Sequence, residues 1–262
     1  MSNKIPIIGT AVVNSSFWVA RLLMSIDYPV EKFIIINNNG RGELEEELNA
    51  VAKIRHKFVD EVKVCHLPSN LGVAGSWNLI IKSNIKSPYW IIVNDDVSFG
   101  SGLLKEMHDA AIEDAEAGVV HAHEGHFDVG SWDLFLIKDF IIEKYGLFDE
   151  NTYPAYNEDA DYIMRFLNDM PKRIMSLKGN YMHGMGNKSE YFEHGGQTRK
   201  TDPTLIEKIN ANNELTMEYM NQKWGSGWRV CGPYPRPYDN KLLPISYWVY
   251  DLSFTKKKNL GF

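Results

Sequence analysis

Asn94-Asp95-Asp96 ends the apolar run Trp90-Ile91-Ile92-Val93, and this abrupt change is where the chain offers most chemistry. A short continuous apolar run reads as a buried strand. An amide and two carboxylates then emerge at its carboxyl end, where open α/β sheets hold their ligands. Such carboxylates are hard oxygen ligands, suited to Mg²⁺ or Mn²⁺ carrying a phosphorylated partner. A second acidic segment, Tyr156-Asn157-Glu158-Asp159-Ala160-Asp161, opens a helical stretch and brings three more carboxylates. Both segments have plainer explanations. Asn-Asp pairs make turns, and acids at a helix start complement the macrodipole.

The elements that must position these acids show as an alternation. Pro6 to Val13 is a strand, and Asn14-Ser15-Ser16 can cap the helix carrying Val19, Leu22, Leu23 and Ile26. Phe33 to Ile36 is a second strand, and Leu44, Leu48, Val51 and Ile54 mark the next helix. Val62 to Leu67 is a third strand, leading into a helix with Val73, Trp77 and Ile80. Trp90 to Val93 is the fourth. Strands alternating with helices predict a doubly wound, mostly parallel sheet flanked by helices. After Gly102 the pattern is less regular. Leu103, Leu104 and Met107 belong to a helix, Gly118 to His121 and Asp133 to Ile137 are strands, and Asp159 to Met170 is helical. Asp202-Pro203, an N-cap followed by proline at the first helical position, starts a helix running to Trp224. Beyond Gly225 the chain becomes an arm rich in proline and tyrosine.

Composition narrows the partners. A formal net charge of -6 over 262 residues argues against nucleic-acid binding, which calls for a basic face. Cys65 and Cys231 form no pair motif, which suggests a reducing compartment. No stretch has the apolar length of a membrane span, and the start lacks the apolar region of a signal peptide. A cytoplasmic location is the expectation, and nothing predicts the oligomeric state.

Four segments carry a resemblance: Asn37-Asn38-Asn39-Gly40, then Asn70-Leu71-Gly72-Val73-Ala74-Gly75-Ser76-Trp77-Asn78, then Asn94-Asp95-Asp96, then Tyr156 to Asp161 running into Tyr162-Ile163-Met164-Arg165. In this order they resemble the nucleotide-sugar glycosyltransferases of the GT-A fold, particularly the inverting family two, over about residues 5–190. The resemblance implies a catalytic domain over 1–200, with a nucleotide-sugar half to about residue 100 and an acceptor half beyond it. Residues 201–262 would be a helix and arm packed on the same domain.

It also implies roles. Asp96 would hold Mn²⁺ or Mg²⁺, with His183 completing the metal site. Asn94 and Asp95 would approach ribose and phosphates, although Asn94 stands where the commoner pattern has an acid. Asp159 would be the general base, Glu158 would face the acceptor, and Asp161 would support them. Ala11, Val13, Asn14 and Asn38 would contact the nucleoside, with Asn70, Gly72, Gly75 and Asn78 also at the donor. Trp132 would offer its face to a sugar, and Lys188, with Arg199 and Lys200, would meet the diphosphate from a glycine-bearing loop. The partners are a nucleotide-sugar donor, UDP preferred, and a glycan acceptor. The rival enzyme is a sugar-phosphate nucleotidyltransferase, which would show a glycine-rich basic loop where Asn14-Ser15-Ser16 stands. A catalytically silent glycan-binding relative is the other rival. His121, His123 and His126 are the competing metal site.

Overall fold

The computed structural model describes residues 3–39, 42–123, 132–166, 174–184, 186–187, 197, 200 and 202–224. Its first half alternates as the apolar pattern requires. The order is β1 (Ile5–Val12), α1 (Ser16–Met24), β2 (Val30–Asn37), α2 (Glu43–Ala52), β3 (Val59–His66), α3 (Gly72–Ser83) and β4 (Tyr89–Val93). Then come β5 (Val97–Phe99), α4 (Leu103–Glu113), β6 (Val119–His121), β7 (Leu134–Lys138) and α5 (Asp139–Tyr145). A 3-10 turn at Glu150–Thr152 precedes α6 (Glu158–Phe166), β8 (Ile174–Ser176), β9 (Tyr181–His183), β10 (Gly186–Asn187) and α7 (Pro203–Trp224).

Seven strands form the main sheet in the order β3-β2-β1-β4-β7-β6-β8. β3, β2, β1 and β4 run parallel, whereas β7 is antiparallel to both β4 and β6. The sheet is therefore mostly parallel with one reversed strand. The chain leaves β1 toward β2 and β3, then returns to β4 on the other side. This reversal of direction opens a crevice at the carboxyl ends of β1 and β4.

Both faces of the sheet are covered, which explains the unbroken apolar run of β4. Tyr89, Ile91 and Val93 pack with Leu22, Leu23, Leu104 and Met107 on one face. Trp90 and Ile92 pack with Trp77, Ile80, Phe135, Phe148 and Tyr162 on the other. Gly9 lets α3 settle close to β1: a Cβ there would lie 2.5 Å from Ile80 Cγ2. A three-stranded sheet, β10-β9-β5, was not foreseen, because strands of two or three residues carry no readable period. The expected extension of α6 to Met170 and the arm after 225 lie outside the described residues. Among the described residues, no helix is long and apolar enough to cross a membrane.

Candidate active site

β4 delivers Asn94, Asp95 and Asp96 to the crevice, and the small sheet fixes what they meet. β5 continues directly from Asp96 and pairs with β9 so that Val97 lies opposite His183. The imidazole is thereby set beside the acid, with His183 Nε2 3.0 Å from Asp96 Oδ1. Its other nitrogen, Nδ1, is 3.2 Å from Asp133 Oδ2. Tyr181 donates its hydroxyl to the same carboxylate, at 2.9 Å from Oδ2 and 3.1 Å from Oδ1. Asp96 is anchored further by the Gln197 amide, which donates to Oδ2 at 2.9 Å, and by the Gly184 amide, which donates to its carbonyl at 2.7 Å. Burial works to lower the pKa of His183, but hydrogen bonds to Asp133 and Asp96 and their charges outweigh it, pushing it up to about 10. Two buried carboxylates thus flank one imidazole.

The second acidic segment arrives through a tightly held loop. The Pro154 carbonyl accepts from the Val73 amide at 2.9 Å, which joins the loop to the start of α3. Gly72 makes this approach possible: its φ is +76°, and a Cβ there would stand 2.8 Å from the Pro154 oxygen. Tyr156 and Asn157 are both left-handed, with φ of 74° and 73°. The Asn157 carbonyl accepts from the Asp161 amide at 2.8 Å, closing the first turn of α6. Asp159 Oδ1 accepts from the Ala160 amide at 2.7 Å. Burial raises the Asp159 pKa above the ordinary carboxylate value, and this hydrogen bond only partly offsets it.

The two segments share one cleft of about 460 Å³. Its wall includes twelve of the residues expected from the sequence: Ala11, Val13, Asn38, Asn70, Gly72, Asn94, Asp95, Asp96, Trp132, Glu158, Asp159 and His183. Trp132 does double duty, since its ring also packs against Phe135, Phe148 and Tyr162. Asn38 is already engaged: it donates to Ser76 Oγ at 2.5 Å and accepts from the Leu71 amide at 3.3 Å.

Five expected residues stand off the wall, among them Lys200, which is exposed on the surface. Asn78 is buried and crosslinks α3 to the distant segment leading into the 3-10 turn after α5, donating to the Phe148 carbonyl at 2.9 Å and to Glu150 at 2.8 Å. Gly75 faces Leu71 and Glu150. Asn14 is half-buried and is not part of the lining. Asp161 is fully buried in an ion network described below, where it pairs with cations and not with a sugar site. Lys188 and Arg199 lie outside the described residues. Of the competing histidines, His121 is buried with its ring against Trp132, while His126 also lies outside the described residues.

Three contributions lie beyond the roles expected from the sequence, which singles out Trp132 but gives its neighbour Asp133 no role. Asp133 has the plainest signal, an acid just before the apolar run Leu134 to Ile137. Its carbonyl accepts from the Asn94 amide at 2.8 Å, because β7 begins where β4 ends. Arg21 donates at 2.5 Å to the carbonyl of Gly184, next in the chain to His183. Leu205 and Ile209 of α7 complete the cleft wall.

α7 is held in place by charge. Lys223 Nζ lies 2.6 Å from both Asp149 Oδ2 and Asp161 Oδ1. Arg165 pairs with the other oxygen of Asp161 and donates to the Tyr145 carbonyl at 3.1 Å. Trp224 Nε1 donates to Asp161 at 2.9 Å, and Tyr219 donates its hydroxyl to Asp149. Two acids and two bases balance in this buried cluster, as burial of charge demands.

Comparison with known proteins gives consistent matches. The profile described as Glycosyl transferase family 2 matches residues 17–152, more than half the chain. A galactofuranosyl glycosyltransferase of Leishmania donovani is 21% identical, over 95% of this chain and 74% of that protein. Among solved structures, the mannosyltransferase PcManGT from Pyrobaculum calidifontis in complex with GDP-Man and Mn²⁺ superposes with a TM-score of 0.60 at 12% identity. That match covers 99% of this chain and 71% of the other. S. aureus TarS 1-349 with UDP-GlcNAc superposes at 0.56 and 13% identity, covering 83% and 67%. At these identities the superpositions establish the shared fold.

Proposed function

Because the chain belongs to glycosyl transferase family 2, we propose that it moves a sugar from a nucleoside diphosphate donor, UDP before others, to a glycan hydroxyl, with inversion at the anomeric carbon. One observation carries this reading: Asp95, Asp96 and His183 share a single cleft with Glu158 and Asp159. Asp159 takes the proton of the acceptor hydroxyl as that oxygen bonds the anomeric carbon and the bond to the diphosphate breaks. The upward direction of its pKa is what a base working near neutral pH needs. Glu158 orients the acceptor, and Trp132 offers its face to the sugar. Ala11, Val13, Asn70 and Gly72 surround the nucleoside, with Asn94 and Asp95 toward the ribose and phosphates.

The residues fit a divalent ion. A carboxylate oxygen and an imidazole nitrogen stand 3.0 Å apart, an oxygen and nitrogen pair suited to Mn²⁺. The second nitrogen of His183 faces Asp133, the outer carboxylate that metal-binding histidines commonly use to fix their orientation. Asp96 and His183 would hold Mn²⁺ or Mg²⁺, with His183 giving up its Nε2 proton, and the bound ion would act as a Lewis acid on the leaving diphosphate. Among the described residues, no three His, Cys, Asp or Glu side chains form a ready cage. An ion held by one or two side chains would draw its remaining ligands from the substrate's phosphates and water. PcManGT with GDP-Man and Mn²⁺ and TarS with UDP-GlcNAc support this choice of partners.

The test is donor consumption, with and without Mn²⁺, across a panel of UDP- and GDP-sugars. Asp159→Asn should lower turnover by about 10²–10⁴-fold, the usual worth of a general base, while still binding the nucleotide. Undiminished turnover in that variant would remove Asp159 from the mechanism.

A further inference from the structure

The cleft has an apolar lip that the donor chemistry does not use. Tyr156 is 44% exposed, although it is one of the larger apolar-faced side chains in the protein. Its backbone and that of Asn157 adopt the left-handed conformation, which bulky side chains rarely take. The surrounding fold imposes it, through the Val73 amide on the Pro154 carbonyl and the Asp161 amide on the Asn157 carbonyl. The outcome is an aromatic ring held at the cleft immediately before Glu158 and Asp159.

α7 supplies the complement. Leu205 and Ile209 lie one turn apart, so they share a side of the helix, and both line the same cleft. This placement is built in, because Lys223, Tyr219 and Trp224 at the far end of α7 are locked to Asp149 and Asp161. An aromatic ring and two aliphatic side chains therefore share a pocket with two carboxylates. A sugar ring has the matching character, with an apolar C–H face and a rim of hydroxyls. A lipid chain would have no use for the two acids.

We propose that Tyr156, Leu205 and Ile209 form an acceptor subsite that grips the C–H face of a saccharide ring and turns its hydroxyl edge toward Glu158 and Asp159. The proposal rests on the glycosyl-transfer reading above and names the class of its acceptor: a cyclic sugar, not an acyclic alcohol.

The experiment measures transfer to a panel of methyl hexopyranosides and hexofuranosides, with n-octanol as the acyclic alcohol. The proteins are the wild type, Tyr156→Phe, Tyr156→Ala and Leu205→Gln. The donor dissociation constant is measured alongside. Wild type should use at least one glycoside in preference to n-octanol. Tyr156→Ala and Leu205→Gln should raise the glycoside KM about tenfold, the loss of one good aromatic or aliphatic contact. Tyr156→Phe, which keeps the ring, should change it by less than about twofold. Equal KM in all four proteins, or a preference for n-octanol, overturns the proposal. A misfolded Tyr156→Ala would show in its melting temperature, and Leu205→Gln then decides the matter alone. Failure of the underlying reading looks different: a wild type that neither binds nor consumes any nucleotide sugar overturns both.

Discussion

Lys223→Met tests whether charge, more than apolar contact, fixes the C-terminal helix. Lys223 sits 2.6 Å from Asp149 and 2.6 Å from Asp161, and its side chain is 2% exposed. Burial lowers its pKa, although both acids pull the other way. Methionine matches its length but leaves two carboxylates with only Arg165 to balance them. Asp161 keeps Arg165 and Trp224, so the unbalanced charge falls on Asp149, which retains Tyr219 and Asn151. Stranding a buried charge in this way costs about 3–5 kcal/mol. For a chain of this size that is roughly a 6–20 °C drop in melting temperature. Asp149→Asn in the same background removes the stranded charge, so the double variant should regain at least ~1.5 kcal/mol over the sum of the single losses. The effect also has a pH signature. Burial would raise the Asp161 pKa, but Arg165 and Lys223 outweigh it and hold it below the ordinary value. A lowered folded pKa stabilises the protein above the unfolded value, about 3.9, and that contribution disappears as pH falls below it. Lys223→Met should shrink this acid-labile contribution. Urea unfolding of the four proteins at pH 7, with melting temperatures from pH 7 to 3, reads each quantity. Additivity within about 0.5 kcal/mol would refute the account, because independent contacts add and a shared charge cluster does not.

Two further outcomes follow from single sites. Gly72→Ala places a Cβ 2.8 Å from the Pro154 oxygen at φ +76°. The left-handed backbone alone costs about 1–2 kcal/mol, and the clash with backbone adds to it. The variant should melt lower and bind nucleotide more weakly, since the Gly72 amide donates to Asn70 Oδ1 at 2.7 Å and both residues line the cleft. A variant as stable as the wild type would disprove the close packing. Elsewhere, His108 Nδ1 meets the Tyr89 hydroxyl at 2.6 Å inside the core. Burial lowers its pKa, more than Asp109 raises it, so the folded state binds its proton less readily than the unfolded chain. Its contribution to stability is full above the unfolded value, about 6.5, and is lost as pH falls from there toward the lowered folded value. His108→Gln should flatten this decline, measured as melting temperature against pH. Parallel curves for the two proteins would count against a neutral buried His108.

The sequence was most legible where both faces of a strand are buried. β1, β2 and β4 show as apolar runs because helices cover the sheet on each side, and the end of the run at Val93 points to Asp95 and Asp96 by itself, whereas Ala11 and Asn38 are reached only through the family resemblance. Direction was not legible. A run such as Leu134 to Ile137 looks the same whether the strand runs up or down, yet direction decides which end of the sheet receives its flanking acid. Because β7 runs against β4, the residue before it, not the one after, arrives at the cleft, and Asp133 comes to rest against His183. Pairing over long separations was equally hidden. Asp161 shares its helical turn with Glu158 and Asp159, so local spacing gives it the same prospects. What removes it from the cleft is Lys223, which is more than sixty positions further along the chain. A carboxylate in a short acidic stretch is therefore assigned by which cation the tertiary fold brings to it. In this chain the same fold step that takes Asp161 out of the site brings Leu205 and Ile209 into it, since both follow from where α7 is anchored.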